Sequence, residues 1–302
     1  MIISNHIKGI FSATFAALCW GTALVMSKGA LESYPPILLL LIQLASSVVF
    51  IWSIILFKKI KIPNLRTLTK VSMFGLLEPF LAYMLILIGL TYSRATDAAL
   101  LQSLESIFIL ILAAILFKEK VSTLFVILSL IIIIGLYLSI GGSLSNVVNA
   151  DITGTVLIII GMLTAAIYVV MTSRSIASAD TIVIVACQQS IALLATVFVF
   201  IGEYTFTNYV FPTPSYSTVI IAIISGIFQY ALAFTFYLTA LKHISAGLSG
   251  MFLNLVPIFG ISGAYLFLGE KMVSVQVVGS AITIFSLILM SLLSNKKNNT
   301  KI

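Results

Sequence analysis

Residues 124–138 read LFVILSLIIIIGLYL. One serine and one glycine aside, every position is apolar, so a helix drawn through them has no face suited to water. A strand of a membrane barrel would alternate apolar and polar residues over about ten positions, and this run does not. A helix satisfies its own backbone hydrogen bonds in lipid. The stretch therefore reads as a membrane helix.

Working outward, nine more blocks of the same kind appear, close to the roughly twenty residues that cross ~30 Å of hydrocarbon. The ten predicted spans are 9–27, 36–57, 71–91, 96–117, 122–141, 152–172, 181–201, 217–240, 244–268 and 273–293. The 302 residues are 61% apolar and 8% charged, with a mean hydropathy of +1.21. A soluble domain carries about a quarter charged residues, so there is too little polar surface here to coat a water-facing globule. The expected class is an all-α integral membrane protein with ten transmembrane helices. The first span begins near Lys8 like a signal peptide, but it is long and another follows at once, so it is expected to be retained. Cys19 and Cys187 both fall at membrane depth, where small buried residues are the simpler reading than a disulfide framework.

The net charge of +7 does not point to nucleic acid, because the basic residues sit in short inter-helix loops. One side carries Lys8, Lys58, Lys59, Lys61, Arg66, Lys70, Lys118, Lys120, Arg174, Lys242, Lys296, Lys297 and Lys301; the other carries Lys28, Arg94 and Lys271. Thirteen against three assigns the richer side, and with it both termini, to the cytoplasm. The bilayer concerned is expected to be the cell membrane.

The chain also repeats. Residues 90–120 align without a gap on 241–271, with Ala95 on Ala246, Leu104 on Leu255, Ile107-Phe108 on Ile258-Phe259 and Glu119-Lys120 on Glu270-Lys271. In the same register Gly75 meets Gly226 and Glu78 meets Gln229. A register six residues shorter pairs Lys8-Gly9 with Thr153-Gly154, Val25-Met26 with Val170-Met171 and Gln43 with Gln188. The expected organisation is a five-helix repeat over 1–141, a linker over 142–151, a second repeat over 152–294 and a basic tail over 295–302. An odd number of spans per repeat inverts the second copy in the membrane. Inverted repeats are the usual build of secondary transporters, with the substrate site near the midplane between the halves.

Cys19-Trp20-Gly21, GLTYSRATDAALLQSLES (89–106), FKEK (117–120), Pro257 and GEK (269–271) together resemble the drug/metabolite transporter superfamily, specifically its EamA-type ten-helix members. The resemblance covers essentially the whole chain. It implies a central cavity lined by spans one, three, four, six, eight and nine. It also implies movement of amino acids, metabolites or toxic organic compounds, often outward. One departure is Ser106, where family members commonly have proline after the glutamate; the second half keeps Pro257. A more regular fourth helix is the expected consequence.

Only two acids, Glu78 and Glu105, lie well inside spans. A charge at that depth is costly, so the two read as cation-binding or proton-exchanging groups, with a protonated structural hydrogen bond as the alternative. Gln102 and Glu105 fall on one helical face. Pro79 is expected to kink span three, and Tyr83, five residues after Glu78, is expected on the opposite face. Gln229, Tyr230, Phe234 and Tyr237 run down span eight. Tyr168 and Trp20 could join them around a cavity, where rings suit an apolar, aromatic or cationic solute; packing is the competing reading. Gln43, Gln188 and Gln189 read as interhelical hydrogen bonds. Asn254 has an amide to offer near the backbone disrupted by Pro257. Arg94 and Asp97 read as an interfacial pair, and Lys28 as a snorkelling lysine.

No phosphate loop, HExxH or Cys/His cluster of ligand spacing occurs, so neither cofactor nor metal is expected. The longest loops, 58–70 and 202–216, cannot hold a nucleotide domain, leaving a secondary carrier or a facilitator with a small-molecule substrate. A lipid-active enzyme and a sensor or channel subunit are the competing classes. A homodimer is left open.

Overall fold

The structure, a computed structural model, describes residues 2–63, 65–92, 95–117, 123–139, 152–176, 179–268 and 274–299. The described residues form helices and short connections, with no strand among them. The helices are α1 (Ile2–Ala30), α2 (Pro36–Phe57), α3 (Leu65–Ser72), α4 (Ala82–Tyr92), α5 (Ala95–Phe117), α6 (Thr123–Ser139), α7 (Ile152–Ser175), α8 (Thr181–Phe206), α9 (Tyr216–Gly226), α10 (Ala233–Leu241), α11 (Ala246–Phe252), α12 (Leu255–Leu268) and α13 (Ser274–Asn299). A 3-10 turn (Met73–Leu76) and a π-helical turn (Leu77–Leu81) join α3 to α4, and a second π-helical turn (Ile227–Leu232) joins α9 to α10.

Local chemistry sets the helix starts. Pro36 opens α2, where a missing N–H costs nothing. Asp180, Ser215 and Ser245 each accept a hydrogen bond from a first-turn N–H of α8, α9 and α11, at 3.2, 3.3 and 3.3 Å. Helix α5 runs unbroken through Ser106, as the absent proline predicts. Its second-half counterpart breaks between Phe252 and Leu255, ahead of Pro257. Part of the 58–70 loop is helical from Leu65. The paired Glu-Lys motifs at 119–120 and 270–271, Arg94 and the 142–151 linker lie outside the described residues, as do the side chains of Asp97 and Gln102.

Among the described residues, six segments are long and apolar enough to cross a membrane: Asn5–Ala30, Pro36–Phe57, Met73–Tyr92, Ile152–Ser175, Thr181–Phe206 and Tyr216–Leu241. The apolar helices Leu104–Leu116, Thr123–Leu138, Ala246–Gly260 and Ser274–Met290 are shorter. The polarity of the bundle is inverted relative to a soluble protein. Val49, Leu130, Phe198 and Phe285 are more than half exposed, while Gln43, Ser47, Gln188, Gln189, Thr196 and Asn254 are buried to 2% or less. A surface of this kind is stable only against hydrocarbon, and buried polar groups must then find partners within the bundle.

The buried glutamines do so between helices. Gln43 Nε2 donates to Ser27 Oγ and Ser225 Oγ, each at 2.8 Å. Gln188 Nε2 donates to the Val71 carbonyl at 3.1 Å and its Oε1 accepts from Tyr168 at 2.8 Å. Gln189 Nε2 donates to the Tyr230 carbonyl at 2.7 Å and its Oε1 accepts from Ser47. Lys28 does more than reach outward: its Nζ lies 3.4 Å from the Leu90 carbonyl, near the end of α4.

Packing is reciprocal between the two halves. α1 lies along α10 and α12, while α7 lies along α4 and α5; α2 packs on α8, and α6 on α13. The glycines show the same exchange at close range. A Cβ at Gly75 would run into the backbone of Gln188, and one at Gly226 into the backbone of Gln43. The sequence registers align Gly75 with Gly226 and Gln43 with Gln188, so each of these contacts is the repeat counterpart of the other. Gly21 likewise lets α1 approach the Val256 carbonyl, which a Cβ there would meet at 2.7 Å.

Candidate functional site

The two π-helical turns interrupt their rods at matching points, one carrying Glu78 and the other Gln229. At Glu78 the backbone is extended, with φ −145° and ψ 129°. This break corrects the expectation for Tyr83. On a regular helix a residue five positions on would turn away from Glu78, but across the interrupted turn both line the same cavity.

That cavity, about 60 Å³, lies at the junction of the two halves and is bounded by Trp20, Leu24 and Ser27 of α1, Glu78 of the π-turn, Tyr83, Ile86, Leu87 and Leu90 of α4, Glu105 of α5, Met162 of α7, Gln229, and Leu253 and Val256. Spans one, three, four, six, eight and nine all contribute. Two of its residue pairs are related by the repeat: Glu78 with Gln229, and Glu105 with Val256. One end of the lining is polar, where Ser27 Oγ donates to Gln229 Oε1 at 3.2 Å and accepts from Gln43.

Trp20 and Tyr83 bring aromatic rings to a wall that is otherwise largely aliphatic, and further rings pack around them. Trp20 meets Phe234 and Tyr237 edge-on, with centroids 5.4 and 5.2 Å apart. Tyr83 meets Tyr230 at 4.9 Å, and Tyr168 meets Phe234 at 6.0 Å. Such edge-to-face contacts are favourable beyond simple burial. Tyr168, Tyr230 and Tyr237 are essentially fully buried and stand behind the lining residues. Tyr168 is held by Gln188, and the Tyr230 hydroxyl lies 3.5 Å from Gln43 Oε1. The hydroxyl of Tyr237 has no hydrogen-bond partner among the described residues.

Of the residues singled out in the sequence, Trp20, Glu78, Glu105 and Gln229 meet in the cavity. Asn254 does not face it. Its amide nitrogen donates to the Met251 carbonyl at 3.0 Å and to Ser106 Oγ at 3.2 Å, which ties the broken α11–α12 segment to the unbroken α5. Ser27 and Leu24 escaped the sequence reading, which placed Tyr83 on the opposite face. The first two could have been found, because 20, 24 and 27 fall on one helical face; Tyr83 could not, because the π-turn shifts the phase.

Two stretches, residues 7–141 and 152–292, each match the model of the EamA-like transporter family. The chain belongs to that family. Within it, residues of this EamA-like protein are 28% identical over 145 positions to the riboflavin transporter ImpX of Fusobacterium nucleatum, covering 45% of this chain and 48% of that protein. The match thus spans about half of the curated relative's length. A solved crystal structure, 17% identical, superposes with a TM-score of 0.78 over 97% of this chain and 98% of the other, which shows the shared fold. Family membership and the apolar helices make this EamA-like chain a multi-pass membrane protein.

Proposed function

We propose that the protein is a secondary transporter that crosses the cell membrane ten times as two inverted five-helix repeats, with both termini cytoplasmic. It moves a small organic solute, outward by the family resemblance, through alternating access around the cavity. The observation that carries this reading is the cavity's construction from repeat-related residues at the junction of reciprocally packed halves. A site so placed can be opened to either side by rocking one half on the other.

At about 60 Å³ the cavity has room for a few water molecules, whereas sites for organic ligands run to ~300–1,000 Å³. The conformation is therefore a narrowed one, and solute must widen it. In the widened state Glu105, Gln102, Glu78, Ser27 and Gln229 supply polar contacts, and Trp20 and Tyr83 supply faces for a flat ring, backed by Tyr168, Tyr230 and Tyr237. Asn254 acts by holding α11–α12 to α5. Buried carboxyls favour their neutral form, so a cationic solute and a proton would compete for Glu105 or Glu78, the minimum arrangement for exchange.

The printed name of the Fusobacterium relative makes riboflavin the first solute to assay, followed by amino acids and cationic aromatic compounds. The test is counterflow in proteoliposomes. Preloading with unlabelled solute should accelerate entry of labelled solute, and Glu105→Gln and Trp20→Ala should weaken it. A flux indifferent to internal solute would identify a channel. No flux for any solute class would favour the sensor reading.

A further inference from the structure

A second concavity, about 630 Å³ and open to the side of the bundle, runs between α1 and α10 at the end bearing the N-terminus. Its α1 wall is Ile7, Phe11 and Phe15 at helical spacing, interleaved with Lys8 and Ser12; the facing wall is Phe236, Thr239 and His243. The order of chemistry along it is graded. Lys8 and His243 lie at one end, and about ten ångströms deeper, by helical rise, Phe15 and Phe236 stand with ring centroids 5.7 Å apart. Ile7, Phe11 and Phe15 are each more than two-fifths exposed, so this apolar wall faces lipid rather than protein.

We propose that this groove binds one anionic phospholipid, with the phosphate on Lys8 and His243 and an acyl chain along Phe11, Phe15 and Phe236. The vertical order of charge above hydrocarbon matches a phospholipid standing in its leaflet. A peptide or a second copy of the chain would have no need of it. Two details favour an anion at the mouth. Lys242, the neighbouring cation, is turned away, its Nζ donating to the Ala179 carbonyl at 2.7 Å, which leaves Lys8 and His243 to face the groove. Burial, with Lys8 and Lys242 close by, also holds the His243 pKa below its ordinary value, and a phosphate would relieve that crowding of positive charge. Basic pockets between membrane helices are suited to such head groups. This inference needs only that the chain spans a membrane, so it can fail while the transport reading stands, and the reverse.

The test is native mass spectrometry of the full-length protein released from nanodiscs of mixed phosphatidylglycerol and phosphatidylcholine. One phosphatidylglycerol should stay bound at energies that strip phosphatidylcholine. Lys8→Gln with His243→Ala should weaken its retention about five- to ten-fold, and Lys58→Ala with Lys59→Ala should leave it unchanged. Phosphatidylglycerol with brominated chains should quench a tryptophan introduced at Phe11 in the otherwise unaltered chain. Equal retention of both lipids, or indifference to the Lys8 and His243 changes, would overturn the proposal. So would displacement of the lipid by glycerol phosphate at equal concentration, which would mark a soluble-anion site. A dimer that dissociates on Lys8→Gln would assign the groove to a second copy instead.

Discussion

Replacing Gly75 with alanine would place a Cβ 2.7 Å from the carbonyl carbon of Gln188, and nearer still to its oxygen, where ordinary contact begins at 3.4 Å. At Gly226 the corresponding Cβ would sit 2.5 Å from the Gln43 Cα. In each case the obstacle is backbone, which cannot rotate aside. The helices must part by roughly an ångström, and overpacking of this kind costs about 1–3 kcal/mol. Separation at Gly75 also stretches the 3.1 Å bond from Gln188 to Val71, one of a class worth about 0.6 kcal/mol in membranes. Alanine recovers up to ~1 kcal/mol of helix propensity, which leaves a net loss of about 0.5–2.5 kcal/mol at Gly75 and somewhat less at Gly226. In detergent this corresponds to a fall in Tm of up to about 10 °C, read from the loss of the monodisperse peak on size exclusion after heating. Gly29, with nothing within 4 Å of its Cβ position, is the control; Gly29→Ala should leave Tm level or raise it slightly. If Gly75→Ala and Gly226→Ala behave like Gly29→Ala, the two halves do not meet as described, and the reciprocal packing behind the repeat argument falls with them.

Glu105→Gln should abolish the pH dependence of solute flux while downhill movement persists; a pH profile unchanged in both Glu105→Gln and Glu78→Gln would make the acids structural and the protein a uniporter. In a background with Cys19 and Cys187 replaced by alanine, cysteines at 27, 102 and 105 should react with a polar thiol reagent and be protected by solute, while one at Leu130, 56% exposed on the outside of the bundle, should stay unreactive in the bilayer. Equal protection at all four positions would mean that the polar face is buried packing. A C-terminal reporter fusion should be active only in its cytoplasmic form, and activity on the far side would remove the even count of crossings together with the inverted repeat.

Composition and periodicity were enough to assign the solvent, because a 61% apolar chain with 8% charge has no stable arrangement in water, and each apolar block must then close its own backbone hydrogen bonds. The repeat, too, was readable, since Gly75 with Gly226, Glu78 with Gln229 and Gln43 with Gln188 align in the linear chain. The two acids and Trp20 stood out for the same reason: polar or bulky groups at membrane depth are costly unless something compensates them. The phase of the helices was a different matter. The π-turn at Leu77–Leu81 brings Tyr83 onto the face of Glu78, and no local periodicity announces such a turn. Whether an amide faces the cavity or a neighbouring helix was equally undecided, for Asn254 and Gln229 have similar chemistry and only their partners, Ser106 and Ser27, separate them. The pairings that decide it, Asn254 with Ser106, Gln229 with Ser27 and Gly75 with Gln188, join residues more than a hundred positions apart, so they exist only once the helices have packed.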